Sequence, residues 1–168
     1  MTSQTSTSSK IAIGLAPLLV AAGLLLAESV LANPVVTERV SIDSSGAQAS
    51  GISSDPSVSA DGRYVAFSSN AADLVAGDPN DAKDVFVHDW AEGEGVTIRV
   101  SVASDGSQAN GESNSPSISS DGQFVAFYSD ADNLVAGDIN EKSDVFVRYL
   151  DQDNAYTELV SISSGGAQ

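Results

Sequence analysis

Apolar and polar residues alternate along most of this chain with a period of two, the spacing of a half-buried β-strand. Val36 to Ile42 follows that pattern and is rich in β-branched residues, so it predicts a strand. Pro56 to Ser59 predicts a short strand opened by proline and closed by the turn Ala60-Asp61-Gly62. Tyr64 to Ser69 is almost continuously apolar, which predicts a strand buried on both faces. A long loop follows from Asn70 to Lys83, with Leu74 and Val75 as a hydrophobic plug within it. Asp84 to Asp89 and Thr97 to Val102 are the next strands. The same series returns at Ser117 to Ser119, Phe124 to Ser129, Asp144 to Tyr149 and Thr157 to Ile162. Beyond residue 32 no window carries the 3.6-residue period of an amphipathic helix.

The return is a true repeat. Thr37-Glu38-Arg39-Val40-Ser41 recurs as Thr97-Ile98-Arg99-Val100-Ser101 and again as Thr157-Glu158-Leu159-Val160-Ser161. Residues 37–96 align with 97–156 without a gap, and 30 of the 60 positions are identical. A third copy opens over 157–168. Four strands per repeat joined by tight turns is the unit of a β-propeller blade, so the expected fold class is all-β, an incomplete propeller of two blade-type repeats and an N-terminal strand with no partner in the chain.

The first 32 residues do not belong to that pattern. A Ser/Thr-rich start leads to Lys10 and an apolar run from Ile11 to Ala27, and Val30-Leu31-Ala32 places small residues suited to cleavage after Ala32. This is the layout of a secretory signal peptide, with an uncleaved membrane anchor as the alternative. The expected organisation is a signal peptide over 1–32 and a repeat region over 33–168, in a periplasmic or secreted protein that touches no membrane after cleavage.

Charge narrows the partners. The chain carries 23 acidic and 7 basic residues, a net charge of −16. Nucleic acid and anionic lipid are excluded as partners, because both require basic patches. Divalent cations are compatible with this charge. Cysteine is absent, which removes disulfides, thiol catalysis and Cys-based zinc sites.

The run Ser59 to Phe67 (Ser-x-Asp-Gly-Arg-Tyr-Val-Ala-Phe), followed by Asp84-Val85-Phe86-Val87, resembles the TolB-like (WD40-like, PD40) propeller repeats. Ser119 to Phe127 and Asp144 to Val147 carry the same resemblance. It implies a propeller fold and leaves activity open, since such repeats occur in partner-binding and peptidase-associated exported proteins. The present unit is longer than a typical blade of that family. Propellers close with about 4–8 blades, so two blades imply either a piece of a longer protein or a ring assembled from several chains. In a ring, the N-terminal strand would clasp the last blade.

Candidate chemistry is sparse. The loop Asp78-Pro79-Asn80-Asp81-Ala82-Lys83-Asp84 and its copy Asp138-Ile139-Asn140-Glu141-Lys142-Ser143-Asp144 share the spacing Asp-x-Asn-x-x-x-Asp. Asp78, Asn80 and Asp84, with Asp138, Asn140 and Asp144, offer hard oxygen ligands of the kind calcium takes. The same residues also serve as turn formers. No cofactor other than calcium is implied. His88 is the only histidine, its counterpart is Arg148, and its place in the alternation puts it on an exposed polar face. Serines are many, but no Gly-x-Ser-x-Gly nucleophile turn is present. Trp90, Tyr64, Tyr128 and Tyr149 are candidates for a carbohydrate or peptide platform. The expected function is therefore a non-enzymatic exported binding or scaffold module for a protein or carbohydrate partner. The alternatives are a blade segment of a larger exported enzyme and a self-assembling homo-oligomer.

Overall fold

The computed structural model describes residues 37–90, 95–151 and 153–166. The expected signal peptide, Val36 and Gln168 lie outside them. Among the described residues all regular structure is β. Strands β1 (Ser53–Val58), β2 (Tyr64–Ser69), β3 (Asp84–Asp89) and β4 (Val96–Arg99) form one antiparallel sheet in chain order. Strands β5 (Ser113–Ile118), β6 (Phe124–Ser129), β7 (Asp144–Tyr149) and β8 (Tyr156–Leu159) form a second with the same order. The registers repeat too, with Phe67 opposite Phe86 in the first sheet and Phe127 opposite Phe146 in the second.

Local chemistry accounts for the hairpins. Ser59 Oγ donates to Asp61 Oδ1 (2.6 Å) and accepts from the amide of Tyr64 (3.0 Å), while Asp61 also accepts from the amide of Arg63 (3.0 Å). Gly62 takes the left-handed φ of +76° that the turn requires. Ser119, Asp121, Gly122 and Phe124 build the same turn in the second repeat. The Ser-x-Asp-Gly signature is thus a β2 or β6 start signal.

Three expectations need correction. The segment Thr37 to Ser41 forms no strand; only Ile42 makes an isolated bridge, to Gln48. No neighbouring strand pairs with it here, and alternation alone supplies no ladder bonds. The first strand of each repeat begins three residues before its proline. Pro56 sits inside β1 at a bulge between Ser54 and Ser57, where Asp55 adopts φ +54°, and Ser115 does the same in β5 with φ +50°. A bulge releases the amide that proline lacks, which is how proline enters a strand interior. The fourth strand is also shorter than expected. The amides of Val100 and Ser101 both turn to the carbonyl of Val85 (2.7 and 3.4 Å), and the regular pairing stops at Arg99.

Each sheet has a front, carrying its paired phenylalanines, and a back. The back of the first sheet (Ala66, Val85, Val87) packs against the front of the second (Val125, Phe127, Phe146) together with Ile118 of β5. Strand β5 lies across β1, β2 and β3. The front of the first sheet, with Phe67 and Phe86 stacked at 5.9 Å, is covered by Ala49, Ala71 and Leu74. Leu74 and Leu134 are fully buried, so the long loops do plug the sheets.

Candidate functional site

The first acidic loop ends in a closed set of contacts. Arg99, at the end of β4, lies with Nη2 3.2 Å from Asp78 Oδ2 and Nε 3.4 Å from Asp84 Oδ2. Gln108, which belongs to the next repeat, donates from Nε2 to Asp78 Oδ1 (2.7 Å) and Asp84 Oδ2 (2.9 Å). Ser101 Oγ donates to Asp84 Oδ1 at 2.6 Å and accepts from the amide of Val85. Burial pushes the Asp84 carboxyl up from its ordinary pKa, while the Ser101 hydroxyl, the Arg99 guanidinium and the Gln108 amide oppose that rise. Asn80 points elsewhere: its Nδ2 donates to the carbonyl of Ala109 (3.0 Å) and its Oδ1 accepts from the amide of Ala82. The structure therefore brings Asp78 and Asp84 together around an arginine and a glutamine, and uses Asn80 to tie the loop to the following repeat.

The second loop differs. Asp138 and Asp144 are both buried. Asp144 accepts from the Ser161 hydroxyl and from Asn140 Nδ2 (2.8 Å), and Asn140 Oδ1 accepts from the amide of Lys142. The position of Arg99 is taken by Leu159. Among the described residues, no three carboxylate or imidazole side chains gather closely enough to hold a metal ion.

His88 is not exposed. Its ring is fully buried on the front of the first sheet, edge-on to Trp90 at 4.4 Å. Thr97 Oγ1 spends its one proton on the carbonyl of Ile42 (2.5 Å), so His88 Nδ1, 2.8 Å away, carries the hydrogen and donates to it. Arg148 makes the equivalent bond, from Nη1 to Thr157 Oγ1 (3.1 Å). Histidine and arginine interchange here because both donate to the same threonine. Desolvation lowers the His88 pKa, with the nearby Asp89 charge opposing. Alternation placed His88 on the polar face, but that face is the one the Ile42–Gln48 turn covers.

A groove of about 710 Å³ opens where the two sheets meet. Tyr64, Tyr149, Arg63, Asp89, Gln123 and Asp151 line much of it. Arg63 donates to both carboxylate oxygens of Asp89 (2.6 and 2.9 Å) and lies over the Tyr64 ring at 4.7 Å. The Tyr64 ring rests on the backbone of Gly122, where a Cβ would stand 2.2 Å from it. Tyr149 packs between Phe124 (4.9 Å) and Tyr156 (5.5 Å). Tyr128 and Trp90 do not line the groove. No family model matches the chain, and a search of curated proteins found no match.

Two residues of the acidic set, Arg99 and Gln108, were not singled out from the sequence. The signal for them is the 60-residue recurrence of arginine at 39 and 99 and of glutamine at 48, 108 and 168. The groove had no such signal, because its two sides come from different repeats.

Proposed function

We propose that the chain is an exported, non-enzymatic binding or scaffold module of TolB-like propeller blades, and that it takes a carbohydrate or peptide partner in the groove between its sheets. The groove carries this reading. Its volume lies within the range of small-ligand sites, and it pairs two tyrosines with a fixed ion pair and an amide, the mixture of flat apolar surface and few polar groups that such sites use. Tyr64 is held by the Arg63 guanidinium over its ring and by its contact with the Gly122 backbone, so little side-chain freedom is lost on binding. The net charge of −16 favours neutral sugars and basic peptides over acidic ones. Titration calorimetry with neutral oligosaccharides and with a lysine-rich peptide tests it. The expected result is saturable binding of one class, weakened about tenfold or more in Tyr149→Ala, a loss of about 1.4 kcal/mol. Binding of neither class, or binding that Tyr149→Ala leaves intact, overturns the reading.

A further inference from the structure

The second sheet shows solvent the surface that the first sheet hides. Val85 on the back of the first sheet is 0% exposed, and its counterpart Val145 is 41% exposed. Val100 is 0% exposed, and Val160 is 45% exposed. The opposite end shows the complement: Ile118 of β5 is 9% exposed against the first sheet, while Val58 of β1 is 59% exposed. Tyr64 rests on Gly122, whereas its counterpart Phe124 is exposed and Gly62 has open space where Gly122 meets the ring. Each end of the unit thus carries one half of the interface already formed between its own two sheets.

The acidic sets say which segment fits. In the first set, Asp78 and Asp84 are held by Arg99, Ser101 and Gln108. In the second, Asp138 and Asp144 are buried in the same way, but the cis strand offers Leu159 in place of the guanidinium. One segment of the chain matches Arg99, Ser101 and Gln108 at every position: Arg39, Ser41 and Gln48. In the structure Thr37, Glu38 and Arg39 are exposed and belong to no strand, and Gln48 is exposed where Gln108 is half-buried.

We propose that residues Thr37 to Gln48 of a second copy of this chain dock along the β7 edge of the second sheet, taking the outer-strand place that Thr157 to Gly166 otherwise fill. This deepens the scaffold reading by naming the partner of the open sheet faces. Arg39 then meets Asp138 and Asp144, Gln48 bridges them, and Val58 of the incoming copy covers Val145 as Ile118 covers Val85. The two segments are equivalent and only one can hold the site. Val160 and Ile162, already exposed, leave it. The contact is head-to-tail, so each copy keeps one free end and larger assemblies follow until a ring closes.

The test is the solution mass, by sedimentation equilibrium, of the chain isolated from cells expressing the whole sequence. The wild type is expected to form discrete multimers, read as whole-number multiples of the mass of the isolated chain. Arg39→Leu should raise the dissociation constant about thirtyfold or more, as loss of a buried hydrogen-bonded charge does. Leu159→Arg should also shift the population toward monomer, because the cis strand then supplies its own cation. Val145→Asp retains a good incoming segment and Arg39→Leu retains a good receiving face. Mixed together they should form a dimer that neither forms alone, which excludes misfolding as the cause of their separate behaviour. A monomeric wild type, a multimer indifferent to Leu159→Arg, or no dimer on mixing overturns the proposal. None of these outcomes bears on the groove, whose ligand binding is measured separately.

Discussion

Replacing Arg99 with leucine gives the first acidic set the composition of the second, and its cost can be worked out from the contacts. The guanidinium is almost wholly enclosed and lies 3.2 and 3.4 Å from two carboxylates that are themselves enclosed. Removing one partner of a buried ion pair costs about 3–5 kcal/mol, because the remaining charge stays desolvated. Gln108 and Ser101 continue to donate, which argues for the lower end. For a unit of this size each kcal/mol moves the midpoint by roughly 3–5 °C, so Arg99→Leu should lower Tm by about 10–15 °C at neutral pH. The pH dependence is the sharper readout. Asp84 has a pKa raised above its unfolded value, chiefly by burial. A raised carboxyl pKa costs stability above that pKa, and the cost is relieved as pH falls through it. Loss of Arg99 raises the pKa further. The gap between wild type and Arg99→Leu should therefore be widest near pH 7 and narrow as the solution is taken toward about pH 4. Urea melts at a fixed protein concentration over that range provide the measurement. A variant within about 0.5 kcal/mol of wild type at pH 7, or a gap that widens in acid, would refute the assignment of Arg99 as the counter-charge.

Three further outcomes follow from single contacts. His88 has a lowered pKa, so its neutral form favours the fold, and stability from this group is lost as pH falls below the unfolded histidine value of about 6.5; His88→Asn, which keeps a donor for Thr97, should flatten the melt between about pH 7 and 5.5, and an unchanged slope would count against burial of the ring. Gly62→Ala and Gly122→Ala both force alanine into a left-handed φ (+76° and +73°), but only the second drives a Cβ into the Tyr64 ring. Gly62→Ala should cost about 1–2 kcal/mol and Gly122→Ala at least about 1 kcal/mol more, and equal costs in chemical denaturation would mean the sheets do not meet there. Any rise in Tm that calcium produces should survive Asp78→Asn, because Arg99 already supplies the cation of that loop, and a rise lost in Asp78→Asn would show the metal and the arginine competing for one place.

Much of this architecture is written in local patterns. Tyr64–Ser69, Asp84–Asp89, Phe124–Ser129 and Asp144–Tyr149 were legible to the residue, because β-branched and aromatic runs between Asp-Gly turns and polar loops leave little alternative. The strands that depend on a neighbour were not. Thr37 to Ser41 alternates as well as Thr97 to Ser101 does, yet only the second has a strand beside it. His88 was misplaced for a related reason: alternation tells which side of a strand a residue takes, and whether that side is wet depends on the turn that folds over it. The acidic loops were visible as spacing, but spacing does not show that a guanidinium 15 residues beyond Asp84 lies against Asp78 and Asp84. Of the four aromatic platform candidates the groove uses Tyr64 and Tyr149, and spacing does not show that these two meet, since they lie 85 positions apart in different repeats.

The bridging amide of Gln108 also bears on how such a gene can change length. Asp78 and Asp84 come from one 60-residue unit, and Arg99, Ser101 and Gln108 come from the next, so the smallest self-sufficient piece straddles the seam between two copies. An insertion or deletion of a whole unit re-forms every such bridge with an equivalent glutamine. One of any other length strands two enclosed carboxylates at the break. Unequal recombination between copies would thus be filtered toward multiples of 60 residues by the electrostatics of a single side-chain amide and the charges it holds.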